Sequence, residues 1–453
     1  MKNPNNISTF YFVGIGGIGM SALARYFKMQ GKSVFGYDKT STELTDELVA
    51  EGMPISFIDD VSEIPKEVMR KDDVMVVFTP AVSKQNKILE YLFFEEFLIV
   101  KRAALLGEIS KNTLCLAVAG THGKTTTSAI LGHLLAECDM PITAFLGGIA
   151  ENYNSNFIFK GHEITVVEAD EFDRSFLQLR PDIACVTSMD ADHLDIYGDA
   201  VEIELAFRSF AKLVQNENNL FIKHDLPMDG MTVGVEKTAD YQATNVRIEN
   251  GVYVFDLMTP NENFKGLTFS LPGRHNLTNA IMAWGMAMLA GAPTDKLAHA
   301  LSTFKGVKRR FTYKIKTESL VLIDDYAHHP TEIDALFQAV EEMYPNDRKQ
   351  IVFQPHLFSR TLDFGAEFAK SLSKFDEVVL LDIYPAREEP IEGVTSKWLL
   401  DQITSEKRRL VFKSALPEVL LESNCRIKLL VGAGDIGAEV NKITEKLRNE
   451  KRS

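Results

Sequence analysis

Residues Gly120-Thr121-His122-Gly123-Lys124-Thr125-Thr126-Thr127 constrain this chain more than any other stretch. An apolar run, 113–119, precedes them and a helical pattern follows. Glycines in such a strand–loop–helix turn let backbone N–H groups face phosphate oxygens, and the helix N-terminus adds the positive end of its dipole. Lys124 is then placed for the β- and γ-phosphates, and the Thr125 hydroxyl for Mg²⁺ or Mn²⁺. Gly120, Thr121, His122, Gly123, Lys124, Thr125 and Thr126 are therefore candidate ATP ligands. The longer form of the motif has a glycine where this chain has Val118, so the loop is a variant that opens at Gly120.

Acids follow in two runs, Glu168-Ala169-Asp170-Glu171-Phe172-Asp173 and Asp190-Ala191-Asp192-His193-Leu194-Asp195, each at the end of an apolar run. Ligands of open α/β sheets bind at the carboxyl ends of strands, so these acids are expected to face the phosphate loop. A hard divalent cation takes oxygen ligands and often pairs one carboxylate with substrate phosphates. Glu168, at a strand tip, is the preferred metal ligand, and His193 is a further candidate. Asp170, Glu171, Asp173, Asp192 and Asp195 read individually as helix caps or solvated acids.

The N-terminus carries a second nucleotide signal. Gly14-Ile15-Gly16-Gly17-Ile18-Gly19 fits GxGxxG, and Asp38 ends the next β-rich run. Gly14, Gly16, Gly17, Gly19 and Asp38 are thus candidates for holding a diphosphate-bearing ligand. Alone, this fingerprint suits an NAD-dependent dehydrogenase. A dehydrogenase does not explain the loop at Lys124, and two loops imply two nucleotide-bearing substrates.

The 453 residues exceed one ordinary core. Short β-rich runs (9–13, 33–37, 74–78, 113–119, 164–168, 183–187, 320–324, 350–353, 377–381, 428–431) alternate with helical patterns, which predicts α/β domains with largely parallel sheets. The expected domains are 1–107, 108–308 and 309–453. Forty-nine basic against 63 acidic residues give a formal charge of −14, which argues against nucleic acid as a partner. The four cysteines form no CxxC pair, and no run has the ~20 apolar residues of a membrane helix. A cytosolic protein without membrane insertion is expected.

Further elements extend the pattern: Gly273-Arg274-His275-Asn276-Leu277-Thr278-Asn279-Ala280, Arg309-Arg310-Phe311, Asp324-Asp325-Tyr326-Ala327-His328-His329-Pro330-Thr331-Glu332, Phe353-Gln354-Pro355-His356 and Gly432-Ala433-Gly434-Asp435-Ile436. With the two glycine loops and the acidic runs, in this order over nearly the whole chain, they resemble the muramyl ligases, and among them the L-alanine-adding branch. The resemblance implies a Rossmann-like UDP-binding domain, a central P-loop ATPase domain and a Rossmann-like C-terminal domain that completes the amino-acid site. It implies a role in peptidoglycan precursor synthesis: ATP phosphorylates the lactyl carboxylate of UDP-N-acetylmuramate, and L-alanine attacks the acyl phosphate. It also implies that Glu168 and His193 hold metal and that Asn276 and Asn279 lie near adenine. Arg310 and Asp324 would reach ATP, and Tyr326, His328, His356 and Arg360 would line the alanine end, with Lys124, Arg310 and His328 catalytic.

The chain departs from the family pattern at Ser188, where Asn is usual, and at Leu357, where a basic residue is common. Arg208 and Lys212 occupy the stretch where some members modify a lysine, and no modified lysine is predicted. The nearest alternative is a recycling ligase that adds a tripeptide to the same sugar nucleotide.

Overall fold

The computed structural model describes residues 3–83, 85–190, 197, 199–386 and 388–450. Thr9–Val13, Ser33–Tyr37 and Val74–Phe78 form strands with the bounds expected. They belong to a five-stranded parallel sheet ordered Ile55–Ser56, Ser33–Tyr37, Thr9–Val13, Val74–Phe78, Ile99–Lys101. The order reverses beside Thr9–Val13, and the glycine loop leaves that strand at its carboxyl end to start the helix Ile18–Met29. This is the switch-point geometry of a nucleotide fold.

The next sheet has ten strands, ordered Asn263–Phe269, Val252–Met258, Tyr241–Glu249, Met231–Val235, Leu220–Lys223, Ile183–Val186, Leu114–Ala119, Ile164–Glu168, Ile142–Ala150, Ser155–Phe159. Its last two strands form an antiparallel hairpin, while Leu114–Ala119 pairs in parallel with both neighbours. Leu114–Ala119 is buried over five of six residues, as a strand covered on both faces must be. The third sheet is ordered Thr312–Lys316, Val321–Asp325, Ile427–Val431, Lys349–Phe353, Glu377–Leu380, Lys407–Leu410, parallel except for its first strand.

Two compact units result. The first comprises residues 1–246, 255–268 and 278–305, so the N-terminal and central sheets fall together. One apolar cluster joins them, from Phe12 and Leu23 through Phe145 to Phe176 and Phe207. The second unit comprises 247–254, 269–277 and 306–453, with a core that includes Leu322, Val352 and Leu430. Among the described residues no helix is long and apolar enough to cross a membrane.

Candidate active site

The phosphate loop forms because Leu114–Ala119 stops at Gly120 and the helix Lys124–Glu137 starts after Gly123. Val118 lies inside the strand, so the turn cannot begin earlier. Gly123 has φ +86°, a left-handed conformation that favours glycine, and a Cβ there would stand 2.9 Å from the Asn279 side-chain oxygen. Asn279 thus sits against the loop. Ser188 braces it: its hydroxyl accepts from the His122 N–H at 2.7 Å and lies 2.9 Å from the Thr121 hydroxyl. Ser188, one of the two departures from the family pattern, therefore supports the loop from the neighbouring strand's end. His122 Nε2 also lies 3.5 Å from Asp190.

Lys124 Nζ donates to the Gly120 carbonyl at 2.6 Å and lies 2.9 and 2.8 Å from the two Glu171 oxygens. Glu171 is 2% exposed, so its expected solvated role is corrected: it is a buried partner of the loop lysine. Burial alone would lower the Lys124 pKa, but Glu171, Glu168 and Asp170 outweigh it and hold the ammonium above its ordinary value. Burial pushes Glu171 up, and Lys124 pulls it back only in part.

Glu168 ends Ile164–Glu168, in register with Val118 of the neighbouring strand, which brings it to the loop. The Thr125 hydroxyl donates to its Oε1 at 3.2 Å. Gly147 makes room for this carboxylate; a Cβ there would stand 2.1 Å from Oε2. Two hard oxygen donors side by side fit a divalent cation, with phosphate and water oxygens completing the shell. No group of three or more His, Cys, Asp or Glu side chains among the described residues is arranged for a metal. His193, Asp192 and Asp195 lie outside the described residues.

Asp38 turns onto the glycine loop, where its carboxylate accepts from the Gly16 N–H at 2.8 Å. A cavity of about 250 Å³ runs from Gly17, Ile18 and Gly19 to Gly147, Glu168 and Asp170. Arg102, which the sequence reading passed over, also lines it. Its guanidinium pairs with Asp170 at 3.0 Å and lies beside Gly19. Asp173 pairs with Lys101 at 3.1 Å and stays exposed, as expected.

The second unit gathers its own cluster. The Arg309 and Arg310 guanidiniums lie 5.1 and 5.0 Å from the Tyr326 ring centroid. The His328 backbone N–H donates to Glu332 Oε2 at 2.9 Å, and its ring Nδ1 lies 3.3 Å from the same oxygen. Arg310 lies 3.7 Å from the other Glu332 oxygen. The His328 and His356 rings are 6.1 Å apart, His356 stacks on Tyr384 at 5.7 Å, and the buried Arg360 lies 3.4 Å from His356 Nδ1. Tyr326, His328, His356, Arg360 and Arg310 are thus brought together. Glu332 and Tyr384 were missed; an acid at the third position of the helix Pro330–Met343, able to reach back to the backbone before the cap, could have signalled the first. Asp324 pairs with Arg309 at 3.4 Å, and the Asn276 amide donates to the Pro272 carbonyl at 2.6 Å.

Three family descriptions match in order: the Mur ligase family catalytic domain over residues 9–113, the Mur ligase middle domain over 118–287, and the Mur ligase glutamate ligase domain over 309–426. A UDP-N-acetylmuramate–L-alanine ligase from Flavobacterium psychrophilum is 57% identical over 445 residues, 98% of this chain and 99% of that protein. The chain belongs to the Mur ligase family. A second such ligase, from Christiangramia forsetii, is 56% identical over 99% of this chain and the whole of that protein. Among solved structures, a UDP-N-acetylmuramate-alanine ligase from Thermotoga maritima superimposes with a TM-score of 0.84 at 28% identity, over 98% of this chain and 99% of that one. A murein peptide ligase from Psychrobacter arcticus shares the fold, with a TM-score of 0.70 at 19% identity, covering 97% and 98%. Membership in the Mur ligases disposes of the dehydrogenase alternative, and the α/β architecture built on two glycine loops is the one expected.

Proposed function

We propose that this chain joins L-alanine to the lactyl carboxylate of UDP-N-acetylmuramate, converting ATP to ADP and phosphate, in the cytoplasmic stage of peptidoglycan precursor synthesis. The observation that carries this reading is the cavity running from Gly17–Gly19 to Glu168 and Asp170. A sugar nucleotide with its diphosphate on the glycine loop would extend its acid toward the phosphate loop. The near-full-length relatives named UDP-N-acetylmuramate–L-alanine ligase support the choice of substrates.

A carboxylate is a poor acyl donor because oxide is a poor leaving group. In the proposed reaction a carboxylate oxygen attacks the γ-phosphorus and ADP departs. The alanine nitrogen then attacks the acyl carbon, phosphate departs, and the amine proton is given up. Lys124 and the amides of 120–126 hold and neutralise the ATP phosphates, a positioning and electrostatic task. Mg²⁺ held by Thr125 and Glu168 would supply further charge neutralisation at the phosphates. Gly14, Gly16, Gly17 and Gly19 hold the diphosphate, with Asp38 bracing the loop. Tyr326, His356 and Arg360 are assigned to alanine, with His328 beside its amine. Asn276, Asn279, Arg310 and Asp324 are assigned to ATP.

Phosphate release with ATP and UDP-N-acetylmuramate tests the reading. It should require L-alanine. Release supported better by L-alanyl-γ-D-glutamyl-diaminopimelate would assign the protein to tripeptide recycling instead.

A further inference from the structure

The helix that follows the glycine loop is fastened to the central sheet by one buried amide. Asn156, on the hairpin strand Ser155–Phe159, is 0% exposed. Its Nδ2 donates to the Ile18 carbonyl at 2.5 Å and to the Ser21 hydroxyl at 2.8 Å. Its Oδ1 accepts from Arg25 Nη1 at 2.5 Å. Arg25 is itself buried and is held from its other side by Glu47 at 2.9 Å and Glu51 at 2.7 Å. Every polar atom of the Asn156 amide is therefore committed to the helix Ile18–Met29.

The other strand of the same hairpin, Ile142–Ala150, carries Gly147, which abuts the Glu168 carboxylate. Ile18 and Gly147 line the same cavity. The remaining contacts between helix and hairpin include aromatic packing, with Tyr26 rings 5.5 Å from Phe145 and 6.3 Å from Phe157. Apolar contact is non-directional and tolerates small slides. A buried amide with three partners tolerates one register, because a slide leaves its polar atoms unmet.

We propose that Asn156 is a positioning residue for the ligation. It fixes the register between the glycine-loop helix and the hairpin, and so the distance from the diphosphate seat to Glu168. The inference rests on the reading above, in which one substrate spans that distance. A misplacement of ~1 Å can cost on the order of 10²-fold in rate while leaving each binding loop intact.

The test is Asn156→Asp, which keeps the acceptor for Arg25 and removes the donor to Ile18. Calorimetric affinities for UDP-N-acetylmuramate and for ATP should stay within about threefold of wild type, while kcat falls by ~10- to 100-fold. A kcat per folded molecule equal to wild type would overturn the proposal, as would a fall in kcat matched by loss of sugar-nucleotide affinity. If Asn156→Asp does not fold, Ser21→Ala decides: kcat lowered with affinities retained supports the proposal, and unchanged kcat overturns it. Wild-type protein runs alongside; absence of alanine-dependent phosphate release there would mean that the function, not the strut, is misassigned.

Discussion

Lys124 and Glu171 form a buried ion pair 2.8 Å long at the base of the phosphate loop. Removing the lysine therefore does two things: it takes a cation from the γ-phosphate and leaves a carboxylate buried beside other acids. Lys124→Ala should lower kcat by ~10²–10³ or more and should also lower Tm, since breaking a buried pair costs about 3–5 kcal/mol. The double variant Lys124→Ala/Glu171→Gln should recover most of the Tm and none of the activity. Thermal melts and phosphate release on the three proteins check this; a double variant no more stable than the single one would show that the pair is not the source of the loss.

Gly147→Ala should act on the metal rather than on the nucleotides. Its methyl would stand 2.1 Å from Glu168 Oε2, so the carboxylate must leave its present place beside Thr125. We expect the Mg²⁺ or Mn²⁺ concentration for half-maximal rate to rise about tenfold, the scale seen when support for a ligand is lost. Mn²⁺ binding by electron paramagnetic resonance should weaken in parallel. An unchanged titration would take Glu168 out of the metal site.

Asp325 gives a pH dependence with a definite sign. Its carboxylate accepts from the Phe311 N–H at 2.7 Å and the Ala327 N–H at 2.8 Å, yet burial outweighs these bonds and Arg310 and raises its pKa from 3.8 to about 6. The folded protein then holds this proton more tightly than the unfolded chain. The resulting stabilisation is full below pH 4 and lost as pH rises through about 6. Two pH units at 1.36 kcal/mol each bound it at roughly 3 kcal/mol. Unfolding free energies of wild type and Asp325→Asn across pH 4–7 should differ by an amount that changes in this sense. A difference independent of pH would contradict it.

Selection of the amine should follow shape before size. One methyl group separates alanine from glycine and is worth ~1–3 kcal/mol in a pocket, and a small apolar pocket rejects the serine hydroxyl weakly. Glycine and L-serine should therefore react slowly. D-alanine should be worse than either if Arg360 clamps the carboxylate while the amine is held. Comparison of kcat/KM for the four amino acids decides; parity of D- and L-alanine would remove the clamp.

The two glycine loops were legible because they are local chemistry: a few consecutive residues supply the turn, the amides and the helix start. Strands such as Thr9–Val13 were legible for the same reason. The hairpin Ile142–Ala150 and Ser155–Phe159 was not read, since its role depends on packing against a helix more than a hundred residues earlier. The acidic run 168–173 shows the limit most clearly. Its composition is the same for four acids, but folding places Glu168 by strand register beside Thr125, buries Glu171 on Lys124, gives Asp170 to Arg102 and leaves Asp173 near the surface. Desolvation separates these carboxylates, and it depends on what the rest of the chain brings to each. The sequence by itself determined which chemistry the chain carries, because phosphate loops are written in consecutive residues. Only the tertiary structure decided which charges are buried, which are paired, and that one amide at Asn156 joins the glycine-loop helix to the strand hairpin, because these are contacts between residues as much as 138 positions apart.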